Sequence, residues 1–201
     1  MYNQWNVGIL LFNEVEVLDF AGPYEVFSIA TYTECDLKPF QVKTVAQNNH
    51  IISARNGLKI QPDYAFNNAP QFDILIVPGG YGAEEIEIHN PKLIDWIKEK
   101  KNQVSIMASV CTGAFLLAEA GLLDGKKVTT HWMDLDRLAG QYDKVRVQRD
   151  VKFIDESPII TSGGISAGID MSFYIIEKLV GEKIAQDTAK RMEYDFTSRG
   201  D

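Results

Sequence analysis

The stretch Val104-Ser-Ile-Met-Ala-Ser-Val-Cys111-Thr-Gly-Ala-Phe-Leu-Leu-Ala-Glu-Ala-Gly-Leu-Leu123 decides the fold. Its first part, Val104–Val110, is a continuous run of apolar and small residues, as expected of a strand covered on both faces. The small residues Gly113 and Ala114 then open an apolar helix over Gly113–Leu123, with Cys111 at the turn between the two elements. The same grammar repeats outward from this point. Compact runs at Val7–Phe12, Val42–Ala46, Ile74–Val77, Val128–Thr130 and Ile159–Thr161 read as further strands. Helical patterns occupy Gly22–Ala30, Pro91–Lys101, Trp132–Ala139, Ser166–Val180 and Lys183–Tyr194. Strands alternating with helices imply right-handed crossovers, hence an α/β sandwich with a mainly parallel central sheet and helices on both faces. Val145–Gln148 and Val151–Ile154, separated by Arg149-Asp150, are expected to form a small hairpin at the margin.

No Pro/Gly/Ser-rich linker, internal repeat or single-sign charge block interrupts the chain, so its 201 residues are expected to form one domain. The polar segment Arg191–Asp201 is expected to fray. Twenty Lys and Arg against 28 Asp and Glu give a formal charge of −8. That balance argues against a nucleic-acid partner, because phosphate binders carry a Lys/Arg-rich face that displaces counterions. Too few residues follow Tyr194 to build a helix-turn-helix, so a DNA-binding appendage is not expected. No basic leader with an apolar segment and cleavage site, and no run of membrane-spanning length, is visible, which leads to an expectation of a cytoplasmic protein without a membrane partner. Two cysteines, Cys35 and Cys111, cannot make a disulfide framework. No His-x-x-x-His or Cys-x-x-Cys spacing occurs, so no metal is expected.

In open parallel sheets ligands gather beyond the carboxyl ends of the strands, and three such junctions carry chemistry. At the first, a strand turning through Cys111 into a helix has the pattern of a nucleophile elbow with sulfur in place of oxygen, where the helix N-terminus favours thiolate. The competing reading of Cys111 is a small buried hydrophobe. At the second, Ile74-Leu-Ile-Val-Pro78-Gly79-Gly80-Tyr-Gly82 ends a strand in a glycine turn. Glycine there lets a substrate approach the main chain and lets the Gly80 N–H point at a developing anion; the plainer reading is a tight turn. At the third, Asp19 precedes the helix that Pro23 helps to start. It reads either as a cap or as a carboxyl group beside Cys111, a proton donor or acceptor next to a nucleophile. Glu25, on the same helix, is the competing acid. His131, at the strand-to-helix junction Thr130-His-Trp132, is placed either near Cys111 or in hydrogen-bonded packing.

Together, Leu18-Asp-Phe-Ala-Gly-Pro-Tyr-Glu25, Val77-Pro-Gly-Gly80, Ser109-Val-Cys-Thr-Gly113, Thr130-His-Trp132 and Thr161-Ser-Gly-Gly-Ile-Ser-Ala-Gly-Ile-Asp170 resemble the ThiJ/PfpI superfamily, across nearly the whole chain to about Glu177. Within it the sequence is most similar to the isonitrile hydratase branch and the N-terminal domains of AraC-type regulators. Asp19 combined with Cys111-Thr112 is the specific part of the match. The resemblance implies a flavodoxin-like sandwich, a homodimer and no cofactor. It further implies Cys111 as nucleophile, Asp19 as acid/base and Thr112 as the neighbour that orients or donates, with Gly80 and the Thr112 amide forming an anion pocket beside Gly79. Thr112 stands where protease-like members carry His, so a Cys-His dyad of that type is absent. No histidine follows His131, so the late His-x-Glu of glutamine amidotransferases is absent too.

The activity so implied is addition of water to an isonitrile, a small-molecule substrate, giving an N-substituted formamide. Phe20, Trp132 and Ile165 are expected as apolar walls of its pocket, beside His131. Two alternatives are a glyoxalase-like activity on methylglyoxal and a small-molecule or oxidative-stress sensor with a reactive Cys111.

Overall fold

The computed structural model describes residues 3–197. In chain order the elements are β1 (Trp5–Leu11), α1 (Val17–Ile29), β2 (Phe40–Ala46), β3 (Ile52–Ser53), β4 (Lys59–Ile60), β5 (Tyr64–Ala65), β6 (Ile74–Val77), α2 (Pro91–Lys100), β7 (Ile106–Ser109), α3 (Gly113–Glu119), β8 (Lys127–Val128), α4 (Leu135–Gln141), β9 (Arg146–Val147), β10 (Phe153–Glu156), β11 (Ile159–Ser162), α5 (Ala167–Val180) and α6 (Glu182–Arg191). Seven strands form the central sheet in the order β10-β11-β7-β6-β1-β2-β5. Every neighbouring pair is parallel except β10 with β11.

The central strands carry no polar-outward alternation because they are covered on both faces: Ile74–Val77 and Ile106–Ser109 are buried at every residue. Cover comes from two helix groups, α1 with α5 and α6, and α2 with α3. Gly22 lets α1 lie close on α5, since a Cβ there would stand 2.9 Å from Ile169 Cγ1. The chain runs from β1 outward through β2 to β5, then returns to the other side of β1 with β6, β7 and β11. The reversal leaves a crevice at the carboxyl ends of β1 and β6. The loops before Asp19 and through Gly79 and Gly80 leave from those two ends, and the Cys111 loop leaves from β7 beside them.

The flavodoxin-like α/β architecture expected from the sequence is present, with four corrections. The expected hairpin does not form: Arg146–Val147 pairs in parallel with Lys127–Val128 in a separate two-stranded sheet, whereas Phe153–Glu156 turns back onto Ile159–Ser162. The Val128–Thr130 run therefore lies outside the central sheet. Helix α1 begins at Val17 rather than Gly22, with Pro23 inside it; a helix tolerates proline in its interior where packing outweighs the lost hydrogen bond, and Phe20, Val26 and Phe27 are buried along it. Asp19 is consequently a residue of the first turn and not a cap. Part of the Arg191–Asp201 segment falls on residues 198–201, outside the described residues; the part within them packs, with Tyr194 and Phe196 rings against Phe173.

Candidate active site

Cys111 sits at φ 56, in the left-handed region that side chains other than glycine rarely adopt. Three buried hydrogen bonds hold it there. The Val110 N–H donates to the Val77 carbonyl at 3.0 Å and the Cys111 N–H to the Gly163 carbonyl at 3.1 Å. The Thr130 hydroxyl donates to the Cys111 carbonyl at 2.8 Å. The helix that follows starts hard against β6, and a Cβ on Gly113 would stand 2.2 Å from the Val77 carbonyl oxygen. The elbow is thus fixed from three strand ends and by one glycine that cannot be enlarged.

Asp19 is fully buried and faces the elbow. Its Oδ2 accepts the Gly79 N–H at 3.0 Å. Among the described residues Oδ1 is buried without a hydrogen-bond partner of ordinary geometry, while the carboxyl group interacts with the Cys111 side chain and the Ile165 backbone N–H. Burial pushes the Asp19 carboxyl up to about 7; the Gly79 N–H opposes that shift and the nearby Glu16 adds to it. Burial also pushes the Cys111 thiol up, and the Asp19 charge pushes it further. The sequence-based expectation of a resting thiolate is corrected here: the donors that favour the anion, the Thr112 and Ile165 amides, are outweighed by desolvation. The pair is therefore a thiol next to a carboxyl group that titrates near neutrality, with one proton able to pass between them.

The Gly80 N–H is already engaged, donating to Thr112 Oγ1 at 2.9 Å. Thr112, buried at 3% exposure, ties the glycine turn to the elbow. Gly79 has no room for a side chain either, since a Cβ would lie 2.5 Å from the Thr112 nitrogen. The donors left for a developing negative charge at Cys111 are the Thr112 and Ile165 amides. Ile165, a β-branched residue at φ 52, is held in the left-handed region opposite Cys111; such backbone strain clusters at functional sites.

Above the sulfur opens a cavity of about 490 Å³ lined by Glu16, Arg55, Gly80, Glu84, Cys111, Thr112, His131, Met133, Asp134 and Ile165. His131 reaches it as a wall, its Nδ1 3.5 Å from Asp134 Oδ2. The ring occupies the space left by Gly164, where a Cβ would come within 2.1 Å of it. Trp132 does not wall this cavity: its side chain is 74% exposed and borders the adjoining groove with Val151 and Ser166. Phe20 belongs to the hydrophobic core. Glu25, the competing acid, is exposed on α1. Sequence reasoning missed Arg55, Glu84, Met133 and Asp134; Arg55 comes from a segment remote from the motifs, and Glu84, two residues beyond the Gly79-Gly80-Tyr-Gly82 turn, is brought to the cavity by a π-helical turn that no local signal announces. Among the described residues no group of three or more His, Cys, Asp or Glu is arranged to hold a metal ion, and no helix is long and apolar enough to cross a membrane.

Residues 6–178 match the DJ-1/PfpI family. The chain belongs to that family. Isonitrile hydratase of Pseudomonas putida is 36% identical over 191 residues, covering 94% of this chain and 78% of that protein. The HTH-type transcriptional regulator CdhR of Pseudomonas aeruginosa is 29% identical, and the match covers 90% of this chain but 53% of the regulator. Among solved structures, a ThiJ/PfpI family protein from Pseudomonas syringae superposes with a TM-score of 0.83 at 24% identity, covering 98% of this chain and 78% of that one. Drosophila melanogaster DJ-1beta gives 0.82 at 19% identity, covering 96% and 100%. This DJ-1/PfpI chain thus shares its fold with proteins whose names span hydration chemistry, regulation and the DJ-1 group.

Proposed function

We propose that this DJ-1/PfpI chain is a cysteine-dependent hydratase that adds water to an isonitrile, R–N≡C, to give an N-substituted formamide. The observation that carries the reading is a buried carboxyl group, raised to about 7, interacting with a cysteine side chain at the floor of a cavity. The 36% identity to an isonitrile hydratase supports the substrate class. In the reaction, the Asp19 carboxylate takes the thiol proton as sulfur bonds to the terminal carbon, then passes that proton to the same carbon. The product is the thioimidate R–N=CH–S–Cys111. Asp19 next takes a proton from water as its oxygen bonds to carbon. Asp19 hands that proton to nitrogen, the C–S bond breaks as the new hydroxyl becomes the carbonyl, and the hydroxyl proton passes to sulfur, so the thiol is restored and R–NH–CHO leaves. The sum is one isonitrile and one water in, one formamide out, with no cofactor. The Thr112 and Ile165 amides face the sulfur while its charge changes. A homodimeric state is part of the proposal.

The glyoxalase-like alternative loses its acid, because Glu25 is exposed on α1. The oxidative sensor loses its low thiol pKa, because burial and Asp19 push the thiol up. The test supplies cyclohexyl isonitrile to wild type, Cys111→Ala and Asp19→Asn and follows the formamide by mass spectrometry. Turnover by wild type with a loss of at least about 100-fold in both variants is expected, the scale of a missing nucleophile or acid/base. Equal formamide from all three, or none from wild type, overturns the reading.

A further inference from the structure

The cavity over Cys111 is not the apolar pocket expected from the sequence. Three carboxylates line it, on Glu16, Glu84 and Asp134, against one guanidinium, on Arg55. Two cations are shared among these carboxylates and their neighbour Glu85. Arg55 Nη1 lies 3.7 Å from Glu16 Oε2. Arg137 lies 2.8 Å from Glu85 and 4.0 Å from Glu84, and its Nη2 donates to the Glu84 backbone carbonyl at 2.9 Å. Two guanidiniums, on Arg55 and Arg137, thus face four carboxylates, on Glu16, Glu84, Glu85 and Asp134, an excess of two negative charges, and His131 lies against Asp134.

Glu84 itself is only partly matched, with the Arg137 guanidinium at the outer limit of an ion pair. Its Oε2 is shielded from water and accepts no hydrogen bond among the described residues. Burial raises its proton affinity and the repulsion of Asp134 raises it again, against the partial opposition of Arg137 and Arg55. The residue stands on a π-helical turn, Gly82–Ile86, and such turns occur often at functional sites. That turn is held against the first loop by the Gly82 N–H, which donates to the Glu14 carbonyl at 3.1 Å. Glycine is required at position 82, where a Cβ would lie 2.0 Å from the Asn13 carbonyl oxygen. A carboxylate is thereby fixed in the wall of a cavity whose floor is the nucleophile, and a cationic group entering with the substrate would add to the partial neutralisation that Arg137 provides from 4.0 Å.

We propose that Glu84 and Asp134 form the specificity wall of the Cys111 cavity and select substrates bearing a cationic nitrogen, an ammonium or amidinium, on the part remote from the reacting carbon. The inference rests on the reading of this cavity as the substrate site, and its test separates the two. Cys111 is labelled, in a Cys35→Ser background that removes the exposed cysteine, with two reagents of the same chemistry and opposite charge. These are 2-(trimethylammonio)ethyl and 2-sulfonatoethyl methanethiosulfonate. Each forms a disulfide with the thiol and releases methanesulfinate, so mass spectrometry gives both rates without any turnover.

Normalised to the rates with 2-mercaptoethanol, the cationic reagent is expected to react at least about tenfold faster, the scale of one or two unit charges acting through water at cavity distances. Glu84→Gln and Asp134→Asn should each lower that ratio by about threefold or more. A wild-type ratio equal to that of 2-mercaptoethanol overturns the proposal, as does a high ratio that neither variant lowers. The parallel arm compares kcat/KM for 3-(trimethylammonio)propyl isonitrile with that for its neutral isostere, 4,4-dimethylpentyl isonitrile. A preference of about tenfold for the cation supports the wall, and equal values overturn it. If neither isonitrile turns over while the labelling ratio stands and falls with the variants, the hydratase reading fails and the cationic wall remains.

Discussion

The floor and the rim of one cavity are built on opposite principles. At the floor, Cys111, Asp19, Thr112 and Gly79 are held by main-chain hydrogen bonds from β6, β7 and β11, in a space where glycines admit no Cβ. At the rim, Glu16, Arg55, Glu84 and Asp134 stand on short helical turns and at a helix start, and carry charges that meet at 3.5 to 4.0 Å. Burial sets the chemistry of the floor, where removal from water costs more than the local donors return. Position in an aqueous mouth sets the chemistry of the rim, where charges select by attraction while contributing little to stability. A cavity built this way can keep one reaction at its base and change what enters by changing long side chains above it.

The comparison is broken most severely at the floor. In Gly113→Ala the new methyl carbon meets the Val77 carbonyl oxygen at 2.2 Å and the Pro78 carbonyl oxygen at 2.8 Å. These are backbone atoms of a central strand and its end, so neither can swing aside as a side chain does. The expected cost is at least about 4 kcal/mol, above the usual range for overpacking because the atoms met are backbone and cannot give way. Urea unfolding followed by circular dichroism reads it. A loss below about 1 kcal/mol would mean that the elbow relaxes freely and is not fixed by the strands beneath it.

A second test separates burial from hydrogen bonding at the same place. Asp19 titrates near 3.8 when unfolded and about 7 when folded. An acid whose folded pKa is raised binds its proton more tightly in the native state. Its favourable contribution is therefore present below about pH 4 and is lost as pH rises through about 7. Asp19→Asn cannot ionise and lacks this dependence. Stability measured in urea at intervals from pH 4 to pH 8 should show wild type losing ground to Asp19→Asn by up to roughly 4 kcal/mol across that range. A constant difference would show that the carboxyl group is solvated, and the floor would then resemble the rim. Under the proposed chemistry, kcat/KM rises through the same pH window, since sulfur needs the Asp19 carboxylate to receive its proton.

The floor was legible in the sequence and the rim was not, for the same physical reason. Cys111, Thr112 and Gly79 follow directly on continuous apolar strands, and an apolar run ending in glycine or a small residue is a local signal; Asp19 lies in the first turn of the helix that follows β1. Arg55 and Glu84 stand in segments whose conformation depends on distant partners: Arg55 follows β3, whose two residues pair only with β4. The short strands β3, β4 and β5 have no hydrophobic run to announce them. The mistaken hairpin has a similar origin. Arg149-Asp150 does turn, with Asp150 at φ 58, but the strand after it finds its partner across Ser157-Pro158, and β9 pairs with β8 instead. Trp132 shows the limit of reading a wall from an aromatic residue near a junction, since the step into the helix at Leu135 turns it outward, where it is 74% exposed.

The smallest expected change completes the comparison. In Arg55→Gln the variant removes a cation whose side chain is 47% exposed and whose partner, Glu16, lies 3.7 Å away. Exposed pairs of this length contribute about 0 to 1 kcal/mol, so unfolding in urea should move by less than about 0.5 kcal/mol. The same substitution leaves Glu16 uncompensated in the cavity wall, and the preference of Cys111 for the cationic over the anionic labelling reagent should rise by about threefold. A residue that leaves stability almost unmoved while shifting charge selection belongs to the rim alone. If instead Arg55→Gln destabilised the chain by about 2 kcal/mol, or left the labelling ratio untouched, the guanidinium would be part of the scaffold, and the division between a floor fixed by packing and a rim free to change would not hold at this corner of the cavity.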